Sequence, residues 1–294
     1  HTRSEYQQHD NLYHWYECTV CGEILSEKEE HKWYEIGDGI PGMICGDCGA
    51  FSEAVDGVLY SVKNGVANVV GIEPSVRQVR ISESYDGVPV VGVFRLTWKS
   101  PGWFFTPRVL ESVVIPDSVK IIGGAVFKDC SSLKSINIPN DVTTIGNSAF
   151  EGCSSLKSIE IPNSVTTIGN SAFEGCRSLK SIKIPNSVTT IGDSAFKGCS
   201  NLNSVEMSNS VAIINDSTFV DCSSLKSIEI PNSVTKIDKS AFKECSNLSS
   251  VEMSSNVTTI GESAFEGCNS LTNIELSNSV TKIDKSAFKE CSNL

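Results

Sequence analysis

The chain has 294 residues, 39% of them hydrophobic and 20% charged, and a net charge of −11. That length suits about two domains, and the acidity excludes a nucleic-acid binder, which needs a basic patch. No run of about 20 apolar residues is present, so no segment is expected to insert in a membrane, and His1-Thr2-Arg3 opens no apolar signal core.

Residues 1–50 are expected to form a small module around two Cys-x-x-Cys-Gly turns. These are Cys18-Thr19-Val20-Cys21-Gly22 and Cys45-Gly46-Asp47-Cys48-Gly49. The glycine after each pair permits a tight turn, and two thiolate pairs suit tetrahedral structural Zn²⁺. Zinc would also explain how a stretch with little apolar content folds. A zinc-ribbon-like module with Cys18, Cys21, Cys45 and Cys48 as ligands is one reading. A mixed set using His14 or His31 is a second, and disulfides or no metal a third. A redox pair is disfavoured, because no βαβ pattern surrounds either motif. Segment 14–33, HWYECTVCGEILSEKEEHKW, resembles the H-W-x-x-C-x-x-C-G-x-H modules of surface proteins from Gram-positive gut anaerobes. The resemblance implies that histidines complete the metal site.

Residues 51–109 read as the N-terminal cap of a repeat array that occupies residues 110–294. Apolar runs at 58–62 and 66–70 flank Lys63-Asn64-Gly65, a strong hairpin signal. Val88-Pro89-Val90-Val91 reads as a further strand after Asp86-Gly87. Residues 94–108 hold Trp98, Trp103, Phe104 and Phe105. They form either an aromatic binding loop or an irregular cover for the first apolar coil.

From residue 110 a 23-residue period governs everything. Phe127 to Phe288 and Cys130 to Cys291 each recur at that spacing, as do the leucines from Leu110 to Leu294. Residues 110–294 thus hold eight full units and the first residue of a ninth, and the array is expected to continue. In the unit LKSIEIPNSVTTIGNSAFEGCRS, Ile159 and Ile161 alternate with Ser158 and Glu160, the pattern of a half-buried strand. Val165 and Ile168 flank a second extended piece. Ser171-Ala172-Phe173 reads as a helical or 3₁₀ turn that drops Phe173 inward. Gly146, Gly169, Gly192 and Gly261 share a phase with Asn215, Asp238 and Asp284, which predicts positive φ there. The repeat cysteines are expected to be buried reduced thiols. In-register coils hold their Cβ atoms about 4.8 Å apart, too far for an ordinary disulfide. The fold class expected is an α/β repeat solenoid, with parallel strands on a concave face and short helical or 3₁₀ turns.

These units resemble the BspA-like, or Treponema pallidum-type, leucine-rich repeats, whose pattern is L-x-x-I-x-I-P-x-S-V-x-x-I-x-x-x-A-F-x-x-C. Residues 57–93 are similar to the hairpin and D-G-x-P-V turn that precede such arrays. The resemblance implies a secreted or cell-surface protein that binds a protein or glycan on a host or neighbouring cell, without catalysis. No catalytic constellation is found: all four histidines, His1, His9, His14 and His31, precede the cap. The candidate ligand face comprises Ser158, Glu160, Lys183, Ser204, Glu206, Ser227, Glu229, Glu252 and Glu275, whose side chains must point away from the core. Asn137, Ser181 and Ser250 share it. Only Lys183 interrupts the row of carboxylates, and like charges at coil spacing repel. The alternative is a structural spacer that presents the zinc module.

Overall fold

A computed structural model describes residue 56 and residues 58–72, 76–94 and 108–294. Ahead of them it gives the backbone of five short strands, Gln8–His9, Tyr13–Trp15, Glu29–Glu30, Trp33–Glu35 and Met43–Cys45. The first three pair antiparallel, as do the last two. Cys18, Cys21, His31 and Cys48, and the aromatic stretch around Trp103, lie outside the described residues; of His14 and Cys45 only the backbone is described.

The cap forms as its turn chemistry dictates. Val58–Lys63 pairs antiparallel with Val66–Ile72, with Lys63 opposite Val66. The reversal is therefore the two residues Asn64 and Gly65, at φ of 55° and 75°. Both angles are positive, as a primed hairpin turn requires, and the Asn-Gly pair adopts them at little cost. Asp86 and Gly87, at 50° and 75°, make the same turn between Ser84–Tyr85 and Val88–Val93. Val88–Val93 pairs in parallel with Val66–Ile72 on one side and Ile121–Ile122 on the other. The cap is thus the first layer of the solenoid, and one hydrophobic core runs from Val58 to Ala287.

Six of the eight coils contribute to two strand ladders and the coils at 133–155 and 156–178 to one, so the second extended piece, at the phase of Ile168, forms a ladder of its own besides the single concave strand expected from the sequence. The first joins Ile121–Ile122, Thr144–Ile145, Thr167–Ile168 and Thr190–Ile191 to the cap. It resumes as Ile213–Ile214, Lys236–Ile237, Thr259–Ile260 and Lys282–Ile283. The second is the predicted Ser-x-Glu strand, and it is discontinuous. Gln78–Arg80 pairs with Ser112–Val114, and Ser181–Lys183 with Ser204–Glu206. Ser227–Glu229, Ser250–Glu252 and Asn273–Ile274 form its last run. No strand forms at Ser158-Ile159-Glu160 or around Asn137.

The expected helical or 3₁₀ turns are absent among the described residues, so the solenoid is built of strands and turns and the α component is corrected. The reason lies in where the N–H groups go. Ser148, Phe150 and Gly152 donate to the next coil, to the carbonyls of Asn170, Ala172 and Glu174 at 2.7, 2.8 and 2.7 Å. Between them, Ala149, Glu151 and Cys153 donate three residues back within their own coil, at 3.2, 3.1 and 3.1 Å. A helix needs successive N–H groups to point along one axis; here alternate ones point between coils. Ser148 at φ 56° and Gly152 at 73° make the alternation possible.

Positive φ therefore falls two residues later than predicted, on the serine phase that includes Ser171, Ser194 and Ser240. The glycine phase has a different purpose. A Cβ on Gly146 would lie 2.7 Å from the carbonyl carbon of Gly123, so these glycines admit the backbone of the preceding coil.

Identical side chains stack along the axis. From Phe127 to Phe288 each ring lies 5.2 to 5.5 Å from the next, with planes within 14° of parallel. Beside them runs a charged row one residue later in every unit except 202–224, where Val220 takes the position. Lys128 pairs with Glu151 at 2.7 Å and Lys197 with Glu174 at 3.1 Å. Lys243 and Lys289 both reach Glu266 at 3.3 Å. A hydrogen bond from Ser263, helped by these two lysines, holds the Glu266 carboxyl down at about 2.

The eight repeat cysteines are free thiols, seven of them buried. Each thiol from Cys153 to Cys291 donates to the carbonyl of the phenylalanine 26 residues earlier, at 3.1 to 3.2 Å. Burial pushes Cys199 and Cys268 up to about 12. At pH 8 such a thiol is roughly one part in ten thousand thiolate, the form that reacts. A maleimide or disulfide reagent is therefore expected to leave the buried repeat cysteines unmodified in the native chain and to label all eight after denaturation. Mass spectrometry that found inter-coil disulfides in the native protein would contradict this stacking.

Candidate ligand-binding face

Every residue predicted for the ligand face is solvent-exposed. The cause is local: in Ser-Ile-Lys or Ser-Ile-Glu the central aliphatic enters the core, so its neighbours turn outward. Ile182 and Ile228 are buried while Ser181, Lys183, Ser227 and Glu229 are not. Register brings several together. Ser204 lies beside Ser181 and Glu206 beside Lys183, while Ser250 and Glu252 lie beside Ser227 and Glu229. Ser158 and Glu160 share the exposed face without joining a ladder.

The charge pattern is sharper than a simple row. Lys183 Nζ meets Glu206 at 2.6 Å, both side chains being largely exposed. Such a pair is worth at most about 1 kcal/mol. Among the described residues no cation lies within ion-pair distance of Glu229, Glu252 or Glu275. The acidic character therefore concentrates on the last three coils of the face.

Two shallow grooves open there, and sequence reasoning missed both. One, of about 210 Å³, is lined by Val205, Glu206, Met207, Glu229 and Pro231. The other, of about 510 Å³, is lined by Val251, Glu252, Met253, Asn273 and Glu275 with neighbouring hydroxyls. The signal was present: these two units read Val-Glu-Met where units 156–178 and 225–247 read Ile-Glu-Ile. Ile161 and Ile230 are buried, but Met207 and Met253 are half-exposed. Pro162 and Pro231 are replaced by Ser208 and Ser254 in the same two units. Ser208 donates to the carbonyl of Val188 at 2.6 Å, so the chain path survives the loss of the proline ring.

Of the N-terminal ligand candidates Cys18, Cys21, Cys45 and Cys48, with His14 and His31 as alternatives, the described backbone includes only Cys45 and His14. Cys45 ends the strand Met43–Cys45, opposite Trp33, and His14 is central to Tyr13–Trp15. Among the described residues no group of three or more His, Cys, Asp or Glu side chains could hold a metal ion. Also among them, no helix is long and apolar enough to cross a membrane.

The family described as the BspA type leucine rich repeat region matches in six copies, over residues 102–226 and 166–294. The chain belongs to that family. The BspA-type solenoid is also similar in fold to a leucine-rich repeat protein from Bacteroides ovatus. The two share 27% identity over 82% of this chain and 80% of the other, with a TM-score of 0.63. The leucine-rich repeat protein of T. pallidum matches at 26% identity over 74% of this chain and 89% of its own, with a TM-score of 0.55. None of the curated proteins compared matches this BspA-type chain.

Proposed function

We propose that this chain is a non-catalytic binding module of an extracellular or cell-surface protein. Its ligand is a protein or glycan on a host or neighbouring cell, taken by the exposed Ser-x-Glu face. The carrying observation is the contrast between that face and its surroundings. Elsewhere charges pair coil to coil, as Glu151, Glu174 and Glu266 do. On this face Glu229, Glu252 and Glu275 stand exposed beside two grooves in which a valine and a methionine lie among polar groups. Unpaired charge in a solvated groove attracts a partner of opposite sign, at the expense of some repulsion in the free state. Leucine-rich repeats generally serve as interaction scaffolds, and family membership supports that reading here.

The test is charge reversal. A chain carrying Glu206→Lys, Glu229→Lys and Glu252→Lys should fold normally, since all three side chains are exposed. Its binding to a host-cell or extracellular-matrix preparation should fall by about tenfold or more, and wild-type binding should weaken as salt rises. Binding equal to wild type would remove the face from the function and leave the solenoid as a spacer that presents the N-terminal module.

That module is proposed to hold structural zinc through Cys18, Cys21, Cys45 and Cys48. The donor set suits it: four thiols in two turns of the right spacing provide the charge and softness that Zn²⁺ prefers. Elemental analysis is expected to give about one zinc ion per chain and clear loss in Cys45→Ser. Zinc retained in full by that variant would transfer the site to Cys18 and Cys21 with His14 and His31. A native chain without zinc would end the proposal.

A further inference from the structure

The two grooves share four lining positions and differ in the rest, Asn209 and Pro231 in the smaller and Ser249, Ser250, Thr272 and Asn273 in the larger. Each has a valine and a methionine on its floor and one glutamate from each of two successive coils on its rim. The pairs are Val205 and Met207 with Glu206 and Glu229, and Val251 and Met253 with Glu252 and Glu275. A small apolar strip of valine and methionine beside two carboxylates is complementary to one kind of side chain. Lysine and arginine carry an aliphatic stem with a cationic head, and they bury the first while the second stays wet and paired. Arginine fits the rim better, because its planar fork can engage carboxylates on two sides. Methionine is the appropriate floor residue, since its flexible thioether adapts to the stem laid across it.

The grooves are also spaced for a particular ligand. Their methionines lie two repeats apart, which is about 9.6 Å at about 4.8 Å per coil. A segment in the polyproline II conformation advances about 3.1 Å per residue with three residues per turn, so residues three apart face the same way and lie about 9 Å apart. We propose that this face binds a protein segment in the polyproline II conformation that carries two arginines separated by two other residues. One arginine seats over Met207 between Glu206 and Glu229, and the other over Met253 between Glu252 and Glu275. To seat the first, the guanidinium displaces Lys183 from Glu206, an exchange made easy by the exposure of that pair. Glu229 and Glu252, on adjacent coils, keep the stretch between the grooves acidic. The inference rests on the function proposed above and names the class of partner.

The chain contains three methionines, Met43, Met207 and Met253, so two of its three methyl resonances report directly on the grooves. The full chain, labelled with ¹³C at the methionine methyls, is titrated at low salt with Gly-Arg-Ala-Ala-Arg-Gly, capped at both ends. The control peptide is the capped isomer Gly-Arg-Arg-Ala-Ala-Gly, which has the same composition and charge. The spaced peptide is expected to shift Met207 and Met253 together, to leave Met43 in place, and to bind about fivefold or more tightly than the isomer, because only it fills both subsites at once. The double variant Met207→Ile, Met253→Ile carries the residue that units 156–178 and 225–247 use, so it should fold, and it should lose the preference for the spaced peptide with no change of charge. Equal affinity for the two isomers, or a preference that survives in the isoleucine variant, would reduce the face to a diffuse acidic surface and overturn the inference. Unmoved methyl resonances would do the same. If the charge-reversed chain nevertheless loses cell binding, the face still serves as a binding surface and only the arginine subsites fall.

Discussion

Phe196→Ala is expected to destabilise the solenoid by about 3–5 kcal/mol, the range for truncating a fully buried phenylalanine. The Phe196 ring has no solvent exposure and stacks 5.4 Å from Phe173 and 5.5 Å from Phe219. Part of the loss is apolar transfer, and part is a cavity that cannot close. Coil height here is fixed by main-chain bonds, Phe196 to Thr218 at 2.9 Å and Phe173 to Ala195 at 2.8 Å. The neighbouring rings therefore cannot slide together, and the void persists. Because each coil touches only its neighbours, the effect should be confined to residues of the two adjacent units. Phe288→Ala should cost less, since Phe288 is half-buried on the last coil. Denaturant unfolding checks the magnitude and amide exchange the location. Exchange that rose equally from Val58 to Leu294 would contradict nearest-neighbour stability.

Most of this architecture was legible because the repeat multiplies every signal. One phenylalanine at a given position is weak information, but eight at one spacing specify a stack. The Asn64-Gly65 and Asp86-Gly87 turns were equally readable, since few other residue pairs adopt positive φ twice in succession. The helical turns were misread because Ser-Ala-Phe has ordinary helix propensity in isolation. The competing hydrogen bonds come from a coil 23 residues away, which a local window does not see. The glycines were misread for a related reason. Their role is to admit a neighbouring backbone, and sequence spacing reports only that something small is favoured there. On the ligand face, alternation placed Glu206, Glu229, Glu252 and Glu275 correctly on the outside. The grooves were missed because Val-Glu-Met and Ile-Glu-Ile have the same apolar-polar pattern. Only the size and stiffness of the floor differ, and those decide whether the coil surface is closed or open.

The glycine phase yields a second strong expectation, because one coil already reveals what happens when the rule is broken. The first strand ladder stops between Thr190–Ile191 and Ile213–Ile214, where Asn215 follows Gly192. Elsewhere the main-chain N–H at this phase donates to the isoleucine of the preceding coil, as Gly169 does to Ile145 at 2.9 Å. At Asn215 the side-chain amide takes that carbonyl, Nδ2 to Ile191 at 2.6 Å. Bulk alone does not explain the break. Asp238 and Asp284 also carry side chains here, yet their N–H groups still reach Ile214 and Ile260 at 2.8 and 2.9 Å. Aspartate has no donor with which to compete, whereas the asparagine amide has two. Gly169→Asn is therefore expected to split the sheet between Thr144–Ile145 and Thr167–Ile168, with faster amide exchange at residue 169, whose N–H loses the Ile145 carbonyl. Gly169→Asp should leave the ladder joined, and Asn215→Asp should rejoin it at the natural break. Gly169→Val should be the most harmful of the series, at about 1–3 kcal/mol or more. A Cβ at residue 169, common to all three variants, comes within 2.5 Å of the Asn147 backbone nitrogen, and valine adds a branch at that atom without any compensating bond. If the asparagine and aspartate variants exchanged alike, competition for the carbonyl would be the wrong cause, and the bulk of any side chain against the preceding coil would take its place.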